Sequence, residues 1–141
     1  TTHQAPVPPP PNEVHWDLQK LLGVAAVHEW SLTTFVSNGV SHTPLPNAKA
    51  TLSIPYIGKI AGTASINRYS GEFNLYAGDR IAWTGAGFTT TRMIGPEDFA
   101  QQERRFLTTL RATDRIIVTR SSITFSDENG SNRMTFTRIR Q

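Results

Sequence analysis

The side chains that could carry chemistry are few and scattered. The chain has no cysteine, which removes thiolate nucleophiles, thiolate metal sites and disulfides together. Its four histidines, His3, His15, His28 and His42, all lie more than four residues apart, so no paired-ligand spacing exists. His28-Glu29 runs on into Trp30 without the second histidine of a zinc protease. No Gly-x-Ser-x-Gly elbow presents a strained serine. Gly85-Ala86-Gly87 continues into Phe88-Thr89-Thr90-Thr91 in strand-like fashion, without the lysine or helix start of a phosphate loop, and reads as a bend between strands. Glu97, Asp98 and Glu103 share one helical segment, where carboxylates near the N-terminus complement the dipole without any acid-base role. The expectation is a protein without catalytic residues, cofactor or metal.

Charge is the next signal. The net charge of +3 is uneven: residues 1–100 hold six Lys/Arg against seven Asp/Glu, and residues 101–141 hold eight against four. If Arg120, Arg133, Arg138 and Arg140 share one face of the final strands, that face attracts an anionic partner, such as a phospholipid headgroup or an acidic protein patch. A plain solvated face explains the same charges. The arginines lack the interleaved aromatics of a stacking platform, so nucleic acid is not expected as a partner.

The elements that must position these residues follow from periodicity. With 141 residues, 38% hydrophobic and 18% charged, the chain corresponds to one folded domain. Pro6 and Pro8 to Pro11 make residues 1–11 an extended tether. Its abrupt start is what removal of an export signal or lipid anchor would leave. In residues 12–27, Asn12 as N-cap and Val14, Leu18, Leu21 and Leu22 predict a short amphipathic helix over 13–22, followed by a connector. From Glu29 the period shortens to two: Trp30, Leu32 and Thr34 alternate with Ser31, Thr33 and Phe35 up to an Asn38-Gly39 turn. Further strands are expected at 49–54, 57–63, 71–76, 79–83 and 87–91, with breaks at Pro55 and at Asn67–Gly71. One long helix is expected at about 96–111, opened by Pro96 and striped by Phe99, Phe106, Leu107 and Leu110. Strands at 115–119, 122–126 and 133–139 close the chain, the last two joined at Glu128-Asn129-Gly130. The fold class is α+β: a strongly curved antiparallel sheet or small β-barrel with one packed helix and a short N-terminal one. Phe99, Phe106 and Leu110 are expected to seal the barrel.

Two segments stand out. The first is Ser65-Ile66-Asn67-Arg68-Tyr69-Ser70-Gly71-Glu72-Phe73, preceded by Gly62; the second is Thr91-Arg92-Met93-Ile94-Gly95-Pro96, followed by Glu103, Phe106, Leu107 and Leu110. By residue chemistry alone the first reads as a tight connection. Asn67 tolerates left-handed geometry, Gly71 supplies a positive φ, and Tyr69 packs with its hydroxyl at the rim. With Trp30-Ser31-Leu32, Ala50-Thr51-Leu52 and Met134-Thr135-Phe136, the two segments resemble the META domain family of HslJ-like heat-shock lipoproteins over residues 28–139, which sets the expected domain at 28–141. In that family the two stretches read Gly-Cys-Asn-Arg-Tyr-Ser-Gly and Thr-Arg-Met-Ala-Cys-Pro.

The resemblance implies an exported bacterial protein facing the periplasm, tethered to the outer membrane and associated with envelope stress, with no assigned catalytic residues. It also implies that the family cysteines can pair. Here Ile66 and Gly95 stand in their places, so the two residues are expected to face each other. The functional expectation is a non-enzymatic domain that binds or chaperones an envelope protein, with possible contact to a lipid surface. Its candidate binding residues are Asn67, Arg68, Tyr69, Arg92, Arg120, Arg133 and Arg138. A carrier of a small apolar ligand or lipid inside the barrel is the alternative.

Overall fold

A computed structural model of the chain describes residues 28–56, 58–76, 79–84, 88–119 and 121–139. The segment 1–11, the helix expected at 13–22, the bend at 85–87, and Arg120 and Arg140 lie outside these residues. The elements are β1 (Trp30–Ser37), β2 (Val40–His42), β3 (Thr51–Tyr56), β4 (Lys59–Ala64), β5 (Asn67–Leu75), β6 (Ile81–Trp83), β7 (Thr89–Thr90), α1 (Glu97–Arg111), β8 (Arg115–Val118), β9 (Ser122–Ser126) and β10 (Arg133–Arg138).

The strands form one antiparallel sheet in the order β6-β5-β4-β3-β1-β10-β9-β8, with β2 added to β1 and β7 to β5. Its two ends meet. Arg80 bridges Arg115, the Ile81 amide donates to the Asp114 carbonyl at 2.9 Å, and the Ile116 amide donates to the Asp79 carbonyl at 2.8 Å. The result is a nearly closed barrel, which leaves little sheet edge exposed.

Local chemistry sets the irregularities. The Asn38-Gly39 turn between β1 and β2 has φ of 51° and 77°, the left-handed pair that a two-residue hairpin demands. In β1 the register against β10 shifts between Leu32 and Thr34, a bulge that inserts one residue. Simple alternation would set Trp30 and Leu32 on the face opposite Phe35; the bulge brings all three into the core. Pro55 does not break the chain as expected. It lies inside β3, where the register against β4 shifts between Ser53 and Tyr56, and an irregular ladder tolerates a residue with no N–H to give.

Among the described residues, large side chains pack the interior. Trp30, Leu52, Ile54, Ile60, Phe106, Leu110, Phe125 and Phe136 are all at most 1% exposed. Edge-on aromatic contacts run from Tyr69 through Phe106 and Phe136 to Phe125, at centroid separations of 5.2, 6.0 and 6.2 Å. Helix α1 lies across the barrel and buries Gln102, Phe106, Thr109 and Leu110. Phe99, expected to help seal the barrel, is only partly buried: it shares the face of Gln102, Phe106 and Leu110 but stands in the first turn of the helix. Pro96 is the N-cap residue, one position before the helix proper. At the other end the Thr113 carbonyl accepts the Trp83 indole N–H at 2.9 Å, tying the helix exit to β6.

Candidate binding face

The distinctive segments meet at one end of the barrel. β4 and β5 are joined through Ser65 and Ile66, and the left-handed residue of that turn is Ser65, at φ 82°. This corrects the expectation of a turn over Asn67–Gly71: those residues are already β5, paired to β4 from Ala64↔Asn67 to Ile60↔Gly71. Ser65 is held in its unfavourable conformation by two bonds, its amide to the Lys49 carbonyl at 3.3 Å and its Oγ to Gln102 Nε2 at 2.7 Å. Gln102 further donates Nε2 to the Ala48 carbonyl at 2.9 Å and accepts the Leu45 amide on Oε1 at 2.7 Å.

Glu103, the next residue of α1, receives three bonds. Oε1 accepts the Ile66 and Asn67 amides at 2.9 and 2.7 Å, and Oε2 accepts the Asn67 side-chain amide at 2.7 Å. The dipole explanation of this carboxylate is therefore replaced: Glu103 sits beyond the first helical turn and acts as a clamp for the β4–β5 turn. Charge-assisted bonds of this kind are the stronger class.

Asn67 extends the clamp to the loop before α1. Its Oδ1 accepts the Met93 amide at 2.6 Å and the Thr91 hydroxyl at 2.9 Å, while Nδ2 also donates to the Met93 carbonyl at 3.3 Å. Thr91 Oγ1 in turn accepts the Arg68 amide at 3.0 Å. One buried amide thus fixes the Met93 backbone from both sides. The side chains of that segment point outward: Met93 is 55% exposed, Ile94 is 99% exposed, and Arg92 is exposed beside them.

The motif on β5 divides by strand parity. Asn67, Tyr69 and Gly71 face inward. Tyr69 is buried and donates its hydroxyl to the Thr51 carbonyl at 2.9 Å, so it does not sit at the rim, and burial pushes its phenol well above the ordinary value. Gly71 has no positive φ; its missing side chain makes room for the Phe88 ring, which a Cβ would strike. Arg68 and Ser70 face outward, into a groove of about 490 Å³ that crosses β3, β4, β5 and β7 and whose lining includes Glu29, Thr63, Thr89 and Thr91. A smaller recess of about 170 Å³ lies between β2 and α1, lined by Phe35, His42, Asp98 and Arg105 among others.

Of the residues singled out in the sequence, Asn67, Arg68, Tyr69 and Arg92 gather at this end. Arg133 and Arg138 do not share a patch with each other: they occupy opposite ends of β10, about 17 Å apart at the usual strand rise. The Arg138 guanidinium contacts His28 Nε2 at 3.2 Å. Gln102 and Glu103 went unrecognised as anchors. Gln102 carried a signal, since it lies four residues before Phe106 on the same helical stripe.

A nearly closed antiparallel barrel, sealed by one helix whose carboxylate clamps a hairpin and a loop, defines a small β-barrel domain with one built surface. The chain belongs to the META domain family, whose match covers residues 15–140. Among solved structures it is similar to a protein from Burkholderia xenovorans determined by NMR, at 20% identity and a TM-score of 0.64, covering 100% of this chain and 96% of that one. It is also similar to a duf4847 family protein from Bacteroides vulgatus, at 11% identity and a TM-score of 0.60, covering 84% of this chain and 97% of the other. At these identities the likeness shows the fold alone. Comparison with curated proteins gave no match.

Proposed function

We propose that this domain is a non-enzymatic binding module of the bacterial cell envelope, which holds another envelope protein through the segment Arg92-Met93-Ile94. One observation carries the reading: a partly buried network runs from Glu103 through Asn67 to the Met93 backbone, yet the side chains of Met93 and Ile94 are exposed. Large apolar side chains carried on and beside a backbone held at Met93 suit a pocket on a partner, because the backbone share of their ordering cost is met before binding. The polar atoms of Asn67, Gln102 and Glu103 are committed to holding backbone, which supports a structural rather than a proton-transferring role. Family membership and the proline-rich segment 1–11 support placement in the envelope and a part in its maintenance under stress. The large side chains that pack the described part of the interior support a surface-binding role over carriage of an apolar ligand inside the barrel.

The test is affinity capture from envelope extract with the wild-type chain and with a Met93→Ser, Ile94→Ser double variant. The expected result is a discrete protein retained by the first and lost by the second, with unchanged thermal stability. Equal capture by both would overturn the assignment of the segment. Recovery of a lipid from the purified protein would favour the carrier.

A further inference from the structure

The outward half of the β5 motif is left without a task by the clamp. Arg68 and Ser70 stand on the wall of the groove, and neither side chain has a partner among the described residues. Across the sheet they are flanked by Thr63 and Ala61 on β4, paired with Arg68 and Ser70 respectively, and by Thr89 on β7, paired with Ser70. An unpartnered guanidinium on a groove wall that also carries hydroxyls can receive a carboxylate: its planar fork matches two carboxylate oxygens, and the Thr63, Ser70 and Thr89 hydroxyls can serve neighbouring amides.

We propose that this groove takes an extended peptide segment that presents a carboxylate to Arg68, which names the chemistry of the partner and rests on the reading of the chain as a protein-binding module. Three observations select that occupant. Glu29 lines the far end of the groove, so a polyanion such as a phosphate backbone would meet repulsion there, whereas a peptide can place a basic group against it. From β5 to the region of Glu29 is two to three strand spacings, about 10–14 Å, the length of about three to four extended residues. The groove is floored by small side chains and hydroxyls, without the exposed aromatic ring on which a sugar would stack. It also adjoins the Met93 segment through Thr91, so one partner chain can engage both.

The test uses the full chain and a capped six-residue peptide of serine and alanine carrying one glutamate and, four positions away and so on the same face of the extended chain, one lysine. Binding is followed by amide chemical shifts of Thr63, Ser70 and Thr89. Saturable shifts at these residues are expected, weakened about tenfold when the glutamate is replaced by glutamine or when the protein carries Arg68→Gln, with no further loss when both are changed. Arg68→Lys should recover only part of the affinity, since a point charge does not reproduce the fork. Absence of saturable shifts at millimolar peptide would overturn the proposal, as would independent, additive losses from the two changes. Acetate alone binding as well as the peptide, or anionic vesicles displacing the peptide from Arg68, would also overturn it by identifying a bare anion site or a membrane contact. The titration does not involve Met93 or Ile94, so its failure leaves the apolar segment standing, and failure of the apolar segment leaves the titration interpretable.

Discussion

Ile66 fills the space that Gly95 leaves open. A Cβ built on Gly95 would lie 2.8 Å from Ile66 Cδ1, closer than real Cβ contacts come, and 3.0 Å from its Cγ1, tighter than most. Ile66 and Gly95, which the resemblance leads one to expect face to face, are therefore neighbours. Gly95→Ala should destabilise by no more than about 1 kcal/mol, because the atom it meets is the end of the Ile66 side chain, which can turn aside. Ile66→Ala, which trims a partly buried side chain, should cost about 1–2 kcal/mol. The double variant should cost less than the sum, a coupling that denaturant unfolding of the four proteins would measure.

Glu103→Gln probes the clamp by changing one atom. The new amide can still accept from the Ile66 and Asn67 backbone, but its NH2 then faces Asn67 Nδ2, donor against donor. Asn67 has no useful flip, because its Oδ1 already accepts from Met93 and Thr91. A loss of about 1–3 kcal/mol is expected, the range for an unsatisfied buried donor. Faster hydrogen exchange at the Met93 amide should accompany it; unchanged exchange there would separate Glu103 from the loop.

Phe106 sits at the centre of the seal, fully buried and in contact with Tyr69 and Phe136. Phe106→Ala should cost about 3–5 kcal/mol, measured by equilibrium unfolding. A loss below about 1 kcal/mol would mean that α1 does not close the barrel.

His42 gives a pH signature. Burial, and then the nearby Arg105 guanidinium, hold its imidazole below the usual 6.5. The unfolded chain then binds a proton more readily than the folded one. The stability His42 contributes is fully present above about pH 6.5 and is lost as pH falls through its folded value. His42→Gln should flatten that part of the stability profile, and Arg105→Gln should shift the titration of His42 upward in NMR.

The parts of this fold that were legible in sequence are those governed by local periodicity. The last three strands, the Asn38-Gly39 turn and the long helix follow from apolar spacing and turn chemistry that need no tertiary information. The misreadings share a different cause. Gly71 suggested a turn because glycine permits positive φ, but here it answers a ring from β7's side of the sheet; Phe35 changed faces because a bulge reset the alternation. Glu103 looked like a dipole partner because its real ligands, Ile66 and Asn67, lie far away in sequence, at separations of 37 and 36 residues. Side chains that bind distant backbone leave no periodic trace, and the candidate binding face is built mostly from such bonds.

The central claim is that the clamp exists to present Met93 and Ile94 to a partner protein. Placing a photo-crosslinking amino acid at position 94, and separately at the half-exposed Ile117 on β8, tests it in living cells. The account predicts a discrete protein adduct from position 94 that disappears when Asn67→Ala frees the loop, and none from position 117. Equal labelling from both positions, or an adduct at position 94 indifferent to Asn67, would contradict it.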